Sequence, residues 1–202
     1  NNPPLSTSNF DVQHRITLAA TYTFPLRAAN VTTSMYYNGQ SGRPYSYNFG
    51  SDVNNHGSST NDLLYYPLEG EVTVTNGTYQ DLVNFLEAGG CSDVEPGQIV
   101  ERNTCRMPWT NSMDFHVGVD VPIGRFRPEF TFDVQNLLNL FNREWGQVEY
   151  AVFNDILVSN ATVTNGQYSY SLNAPARPGG VRYTRDDLRS RWQAQFGFPV
   201  RF

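Results

Sequence analysis

Residues 189–202 read "RSRWQAQFGFPVRF", and the reading of this stretch decides the fold. Trp192, Ala194, Phe196, Phe198, Val200 and Phe202 are apolar, whereas Arg191, Gln193, Gln195, Gly197, Pro199 and Arg201 between them are not. A period of two gives a β-strand one apolar face and one polar face. Two environments suit such a strand: the edge of a soluble core, or the wall of a membrane β-barrel with lipid outside and a wet interior.

Four upstream segments repeat the pattern. In "FDVQHRITLAATYTF", Phe10, Val12, Ile16, Leu18, Ala20, Tyr22 and Phe24 share one face, opposite Asp11, Gln13, Arg15, Thr17, Thr21 and Thr23. "SMDFHVGVDVP" sets Met113, Phe115, Val117, Val119 and Val121 against Ser112, Asp114, His116, Gly118 and Asp120. The expected strands span about 10–24, 31–47, 112–122, 129–141 and 191–202. By simple counting His14 and Asn136 fall on the apolar face. His14 is expected near the outer end of its strand, and Asn136 at a bulge or at the membrane interface.

The connections alternate in length. The links at 25–30 and 123–128 are short, whereas those at about 48–111 and 142–190 exceed what a compact soluble domain ordinarily leaves without structure. Short turns on one side and long loops on the other characterise outer-membrane barrels. Five strands cannot close such a barrel, and an open edge in lipid leaves backbone groups unpaired. The chain therefore reads as a piece of a longer polypeptide, its opening "NNPPLSTSNF" lacking the pattern of a signal peptide.

Composition narrows the partners. Only 16% of residues are charged and the net charge is −5, which gives no basic footprint for nucleic acid. No run approaches the roughly 18 apolar residues of a membrane helix. The mean hydropathy of −0.47 is compatible with a barrel, in which alternate residues avoid lipid.

Cys91 and Cys105 enclose a loop of about 15 residues, and in an oxidising compartment a bridge between them would stabilise by roughly 3 kcal/mol. Two reduced thiols are the alternative. "TYQDLVNFLEAGG" predicts a short helix in the first long loop, with Thr78 as cap, Asp81 three residues on, and Gly89 or Gly90 ending it. Leu82, Phe85 and Leu86 would share its buried face.

Three segments together carry a family resemblance: "YYNGQSGRPYSYNFGSDVNNHGSSTNDLLYYP", "RNTCRMPWTNSMDFHVGVDVP" and "FTFDVQNLLNLFNREWG". They resemble the C-terminal barrel region of TonB-dependent outer-membrane receptors of the Oar-like, carboxypeptidase-regulatory-domain type. The resemblance implies an all-β, antiparallel transmembrane barrel of 22 strands in the bacterial outer membrane, of which this chain would supply five. It also implies import of an unidentified ligand, driven by the TonB complex through an N-terminal plug and box that this sequence does not contain. Lipid, lipopolysaccharide and a surface lipoprotein lid are the other expected partners. The aromatic end, Phe196, Phe198, Val200 and Phe202, resembles the signal read by the barrel assembly machinery, where an extended edge strand suits β-augmentation. Surface adhesion or protein export is an alternative role, and a soluble β-sandwich binding module an alternative fold.

No catalytic constellation is present, so no enzyme and no organic cofactor are expected. "GSDVNNHGSSTND" has a partial calcium pattern, with Asp52 and Asn54 in the first and third places and Asp62 nearby. His56 in the fifth place and Leu63 in the twelfth, where a bidentate Glu belongs, depart from it, and an Asx-rich turn is the competing reading. Tyr45, Tyr47, Tyr65, Tyr66, Trp109, Trp145 and Tyr150 are candidates for ligand contact near the outer strand ends, or for the aromatic girdle of the membrane interface. Arg15, Asp114, His116, Asp120, Glu129, Asp133 and Arg191 are expected to face the lumen. The sequons at Asn30, Asn76 and Asn160 are read as chance.

Overall fold

The computed structural model describes residues 5–58, 61–91, 93–152, 154–173 and 183–201. In chain order the elements are β1 (Arg15–Pro25), β2 (Asn30–Gln40), β3 (Pro44–Phe49), β4 (Tyr65–Tyr66), β5 (Val72–Thr75), α1 (Tyr79–Ala88), β6 (Gln98–Ile99), β7 (Cys105–Arg106), β8 (Thr110–Asp120) and β9 (Arg127–Gln135). They continue with α2 (Leu137–Phe141), β10 (Glu149–Tyr150), β11 (Asn154–Thr164), β12 (Gln167–Leu172), β13 (Thr184–Arg185), β14 (Gln193–Gly197) and β15 (Val200–Arg201). The class is all-β. The chain divides into two compact units, a sheet unit (Gln13–Ser41, Trp109–Glu149, Arg185–Phe202) and an insertion unit (Asn1–Val12, Gly42–Pro108, Tyr150–Thr184).

The sheet unit is antiparallel, in the order β1-β2-β8-β9-β14, with β15 also pairing β9, and has the form of a half-barrel. Its register aligns the apolar positions into rows. Ala20 faces Met35, Met35 faces Phe115, Phe115 faces Val134 and Val134 faces Ala194. The next row runs Tyr22, Thr33, Val117, Phe132, Phe196, and the one beyond it Phe24, Val31, Val119, Phe130. Phe130 packs against Phe198 and Phe132 against Phe196, with ring centroids 4.6 and 4.8 Å apart. Among the described residues no protein layer covers most of this belt: Leu18 is 62% exposed, Phe130 55% and Phe196 80%, whereas Val134 is buried.

Both short links are turns. Leu26 N donates to Ala29 O between β1 and β2, and Ile123 and Phe126 exchange both backbone bonds between β8 and β9. The long connections leave this sheet at the opposite end, after Gln40 and after Gln135.

Several strand boundaries differ from expectation. The segment 31–47 divides: β2 ends at Gln40, and β3 begins at Pro44 in the other unit. The first strand starts at Arg15 rather than residue 10, which leaves His14 outside it. The strand expected at 129–141 ends at Gln135 because Asn136 adopts a left-handed conformation (φ +52°) and α2 follows. Asparagine tolerates that region better than most residues. Asn136 is buried, its Nδ2 donating to Gly146 O at 2.8 Å and Arg189 O at 3.2 Å, so it ties the end of β9 to two later segments instead of standing exposed on the apolar face. The last strand is interrupted at Phe198 and Pro199.

The long loops expected at about 48–111 and 142–190 carry most of the insertion unit and are largely folded. Its main sheet has the order β5-β12-β11-β3-β7. β11 and β12 form an antiparallel hairpin through Asn165 and Gly166, both at positive φ, the geometry that an Asn-Gly turn supplies. β3 runs parallel to β11, and β5 parallel to β12, so segments from the two insertions share one sheet. α1 has the expected capping box: Thr78 Oγ1 accepts from Asp81 N while Asp81 accepts from Thr78 N. Its Leu82, Phe85 and Leu86 enter a core with Tyr45, Tyr47, Phe49, Leu64, Val100, Leu157 and Val158. Each such large side chain contributes roughly 1.5–3 kcal/mol by burial. Cys91 and Cys105 are joined as a disulfide in the same core.

Candidate functional site

Two polar regions emerge, one in each unit. In the sheet unit, the face opposite the apolar belt carries cross-strand polar pairs. Arg15 donates to Gln40 Oε1 at 2.6 Å, Thr21 pairs with Ser34, and Thr23 pairs with Thr32. His116 Nδ1 lies 2.6 Å from Asp133 Oδ1, directly opposite it in register. Asp120 stands opposite Glu129, and Asp114 accepts the backbone N–H of Asn136 at 2.9 Å. Glu129 also uses the space at Gly118, where an added Cβ would lie 2.8 Å from Glu129 Oε1. Of the expected lumen residues, Arg15, Asp114, His116, Asp120, Glu129 and Asp133 thus share one face. Arg191 precedes β14, is exposed, and pairs only loosely with Asp187 at 3.6 Å.

In the insertion unit, a pocket of about 460 Å3 is lined by Phe49, Asp52, Val53, Tyr65, Glu71 and Val72, together with residues 161–163, 168 and 170 of the β11–β12 hairpin. The floor is aromatic, with Phe49 and Tyr170 edge to face at 5.3 Å. Tyr168 stands at the rim and is 54% exposed. Tyr65 Oη donates to the Glu71 carboxylate, 3.1 Å from each oxygen, and Leu68 N donates to Glu71 Oε2 at 2.9 Å. Desolvation, then the hydrogen bond to Glu71, raises the Tyr65 phenol above its ordinary pKa.

Beside the pocket, the 52–62 loop brings Asp52, Asn54 and Asp62 together, as the calcium pattern expects, with His56 joining them. Asp52 Oδ1 accepts from His56 N at 3.1 Å and pairs with His56 Nδ1 at 3.0 Å, while Asp52 Oδ2 accepts from Gly57 N at 2.7 Å. Asp62 accepts from Val53 N and from Asn54 Nδ2, and Asn54 Oδ1 accepts from His56 N. The oxygens a hard cation would use therefore serve the loop's own donors. The His56 hydrogen bond, with the Gly57 and His56 amides, lowers the Asp52 pKa, and that same bond raises His56.

Three aromatic candidates prove to be core residues. Tyr45 and Tyr47 are 1% exposed and hydrogen-bonded to each other, and burial pushes the Tyr45 phenol far up. Tyr66 is also buried, its phenol pushed up to about 12 by desolvation and Tyr79. They are closed to ligand because β3 is buried along its whole length and β4 packs into the same core. Tyr65 does line the pocket. Trp109, Trp145 and Tyr150 are exposed, and Trp109 Nε1 donates to Asn111 Oδ1 at 2.9 Å. Of the residues expected to carry an assembly signal, Phe196 and Phe198 extend the apolar belt, Val200 faces Pro128, and Phe202 lies outside the described residues.

Sequence reasoning missed Glu71, Tyr168 and Tyr170. The signal was present in the alternation "QYSYSL" directly after the Asn165-Gly166 turn. No family model, curated protein or solved structure matches the chain.

Proposed function

We propose that this chain forms the C-terminal barrel strands of a TonB-dependent outer-membrane receptor that imports an unidentified ligand. The observation that carries the reading is the apolar belt of the sheet unit, aligned in register across five strands and uncovered except near Val134, while the reverse face is polar and charged. Lipid suits the first face and a hydrated lumen the second. The two tight turns lie at one end of the sheet and the long insertions leave from the other, which this reading assigns to the periplasm and the cell exterior respectively.

The outer edges of β1 and β14 pair with no strand in the described residues. In lipid such edges require partners. Further strands of the same receptor would supply them, and its plug would meet the polar face and couple to the TonB complex. The soluble-sandwich reading fits less well, because its belt would need a covering layer.

Comparing uptake in cells with and without the gene tests the function. A complex nutrient mixture is supplied, and depletion of its components is followed by mass spectrometry with and without a protonophore. The expected result is one class of solute whose uptake requires both the gene and an energised inner membrane. Unchanged uptake with lost cell attachment or lost export would replace import by the adhesion or export role.

A further inference from the structure

We propose that the insertion-unit pocket binds a cationic group carried on an apolar stem, an amine or guanidinium of a small molecule or of a peptide side chain. This deepens the receptor reading by naming the class of ligand that the external unit would capture. The volume of about 460 Å3 lies within the range of small-ligand sites. Its wall combines four aromatic rings, Phe49, Tyr65, Tyr168 and Tyr170, with two carboxylates, Asp52 and Glu71, and among the described residues contains no basic one.

Charge selects among ligands. The insertion unit holds 11 of the chain's 19 acidic residues and five of its 14 basic ones, all arginine, so its net charge is −6 against +1 for the sheet unit. An anion would meet two carboxylates and a negative surrounding field. A neutral saccharide would leave the Glu71 carboxylate without a counter-charge, whereas Asp52 already pairs with His56. A cation satisfies Glu71 and gains from the ring faces as well, an attraction that strengthens as water is displaced.

Geometry supports the same choice. Tyr65 Oη and Leu68 N hold the Glu71 carboxylate, and Oε1, which accepts only from Tyr65 among these donors, retains acceptor capacity for a further one. The exposed Tyr168 ring offers a face for the cation, and Phe49, Tyr170 and Val72 offer an apolar floor for its stem.

The test is calorimetric titration of the full chain in detergent with agmatine, maltose and succinate as cationic, neutral and anionic probes. Saturable binding of agmatine alone is expected, weakening as salt is raised. Glu71→Gln and Tyr168→Ala should each weaken it about fivefold. Tyr168 is outside the core, so its variant keeps the test independent of any folding effect at Glu71. Absent agmatine binding, tighter maltose binding, or agmatine binding indifferent to both substitutions would overturn the proposal. Failure to bind leaves the receptor reading standing, whereas binding by a protein that never enters the outer membrane would sink that reading and leave the pocket.

Discussion

Phe132 and Phe196 face each other across the β9–β14 pairing, ring centroids 4.8 Å apart, and no protein layer covers Phe196. Two large rings in tilted contact along a sheet, Phe196 open to its surroundings and Phe132 half-buried, would expose apolar area to water at roughly 25 cal/mol per Å2. Lipid against this face, as the proposed function has it, would remove that penalty.

A positive charge in the belt should therefore be costly. Phe132→Arg is expected to destabilise the membrane-inserted protein by about 2–4 kcal/mol. Thr131→Arg, one residue away on the polar face, should cost much less. Urea unfolding in lipid vesicles measures both, and equal losses would count against a lipid-facing belt.

The Cys91–Cys105 bridge closes a loop with a sequence separation of 14 in the insertion unit. Unfolded protein should show no free thiol until a reductant is added. Reduction should lower the stability of this unit by about 3 kcal/mol. Two titratable thiols before reduction, or an unchanged melting curve after it, would contradict the assignment.

Thr78→Ala removes the side-chain acceptor of the α1 capping box and should cost about 1 kcal/mol. The Thr78 hydroxyl and amide hold the Asp81 carboxyl below its ordinary pKa. Its contribution is thus present above the ordinary value of 3.8 and is lost as pH falls through the lowered one. Helix content measured by circular dichroism between neutral and acid pH should fall earlier in the Thr78→Ala variant than in wild type.

The 52–62 loop should have a window of greatest order. The lowered Asp52 pKa gives stability present above 3.8 and lost on acidification through its folded value. The raised His56 pKa gives stability fully present below 6.5 and lost as pH rises through its folded value. Protection of the Gly57 amide against hydrogen exchange, corrected for intrinsic rate, should therefore peak between those pH values. A flat profile would mean that the pairing is not formed in solution.

Period-two alternation made β1, β2, β8, β9 and β14 legible, along with their order and short turns, because lipid or core demands it residue by residue. The α1 cap and helix face were legible for the same local reason. The parallel pairings of β3 with β11 and of β5 with β12 were not. They join segments about 100 residues apart, and the alternation within each strand, such as Tyr45, Tyr47 and Phe49 against Ser46 and Asn48 in β3, does not say which distant strand is its partner. For that reason Tyr45 and Tyr47 read as aromatics near the outer end of the 31–47 strand rather than as core residues. The Asn165-Gly166 turn was legible and was overlooked, and with it the hairpin that walls the pocket.

Spin-label accessibility at Phe130→Cys and Thr131→Cys, compared in outer-membrane vesicles from cells expressing the protein, is the most direct measurement of which medium the belt meets. A label at position 130 should collide with oxygen dissolved in lipid, whereas one at 131 should collide with a water-soluble nickel chelate. A label at 130 sheltered from both reagents, on protein that fractionates as a monomer in water, would contradict the account.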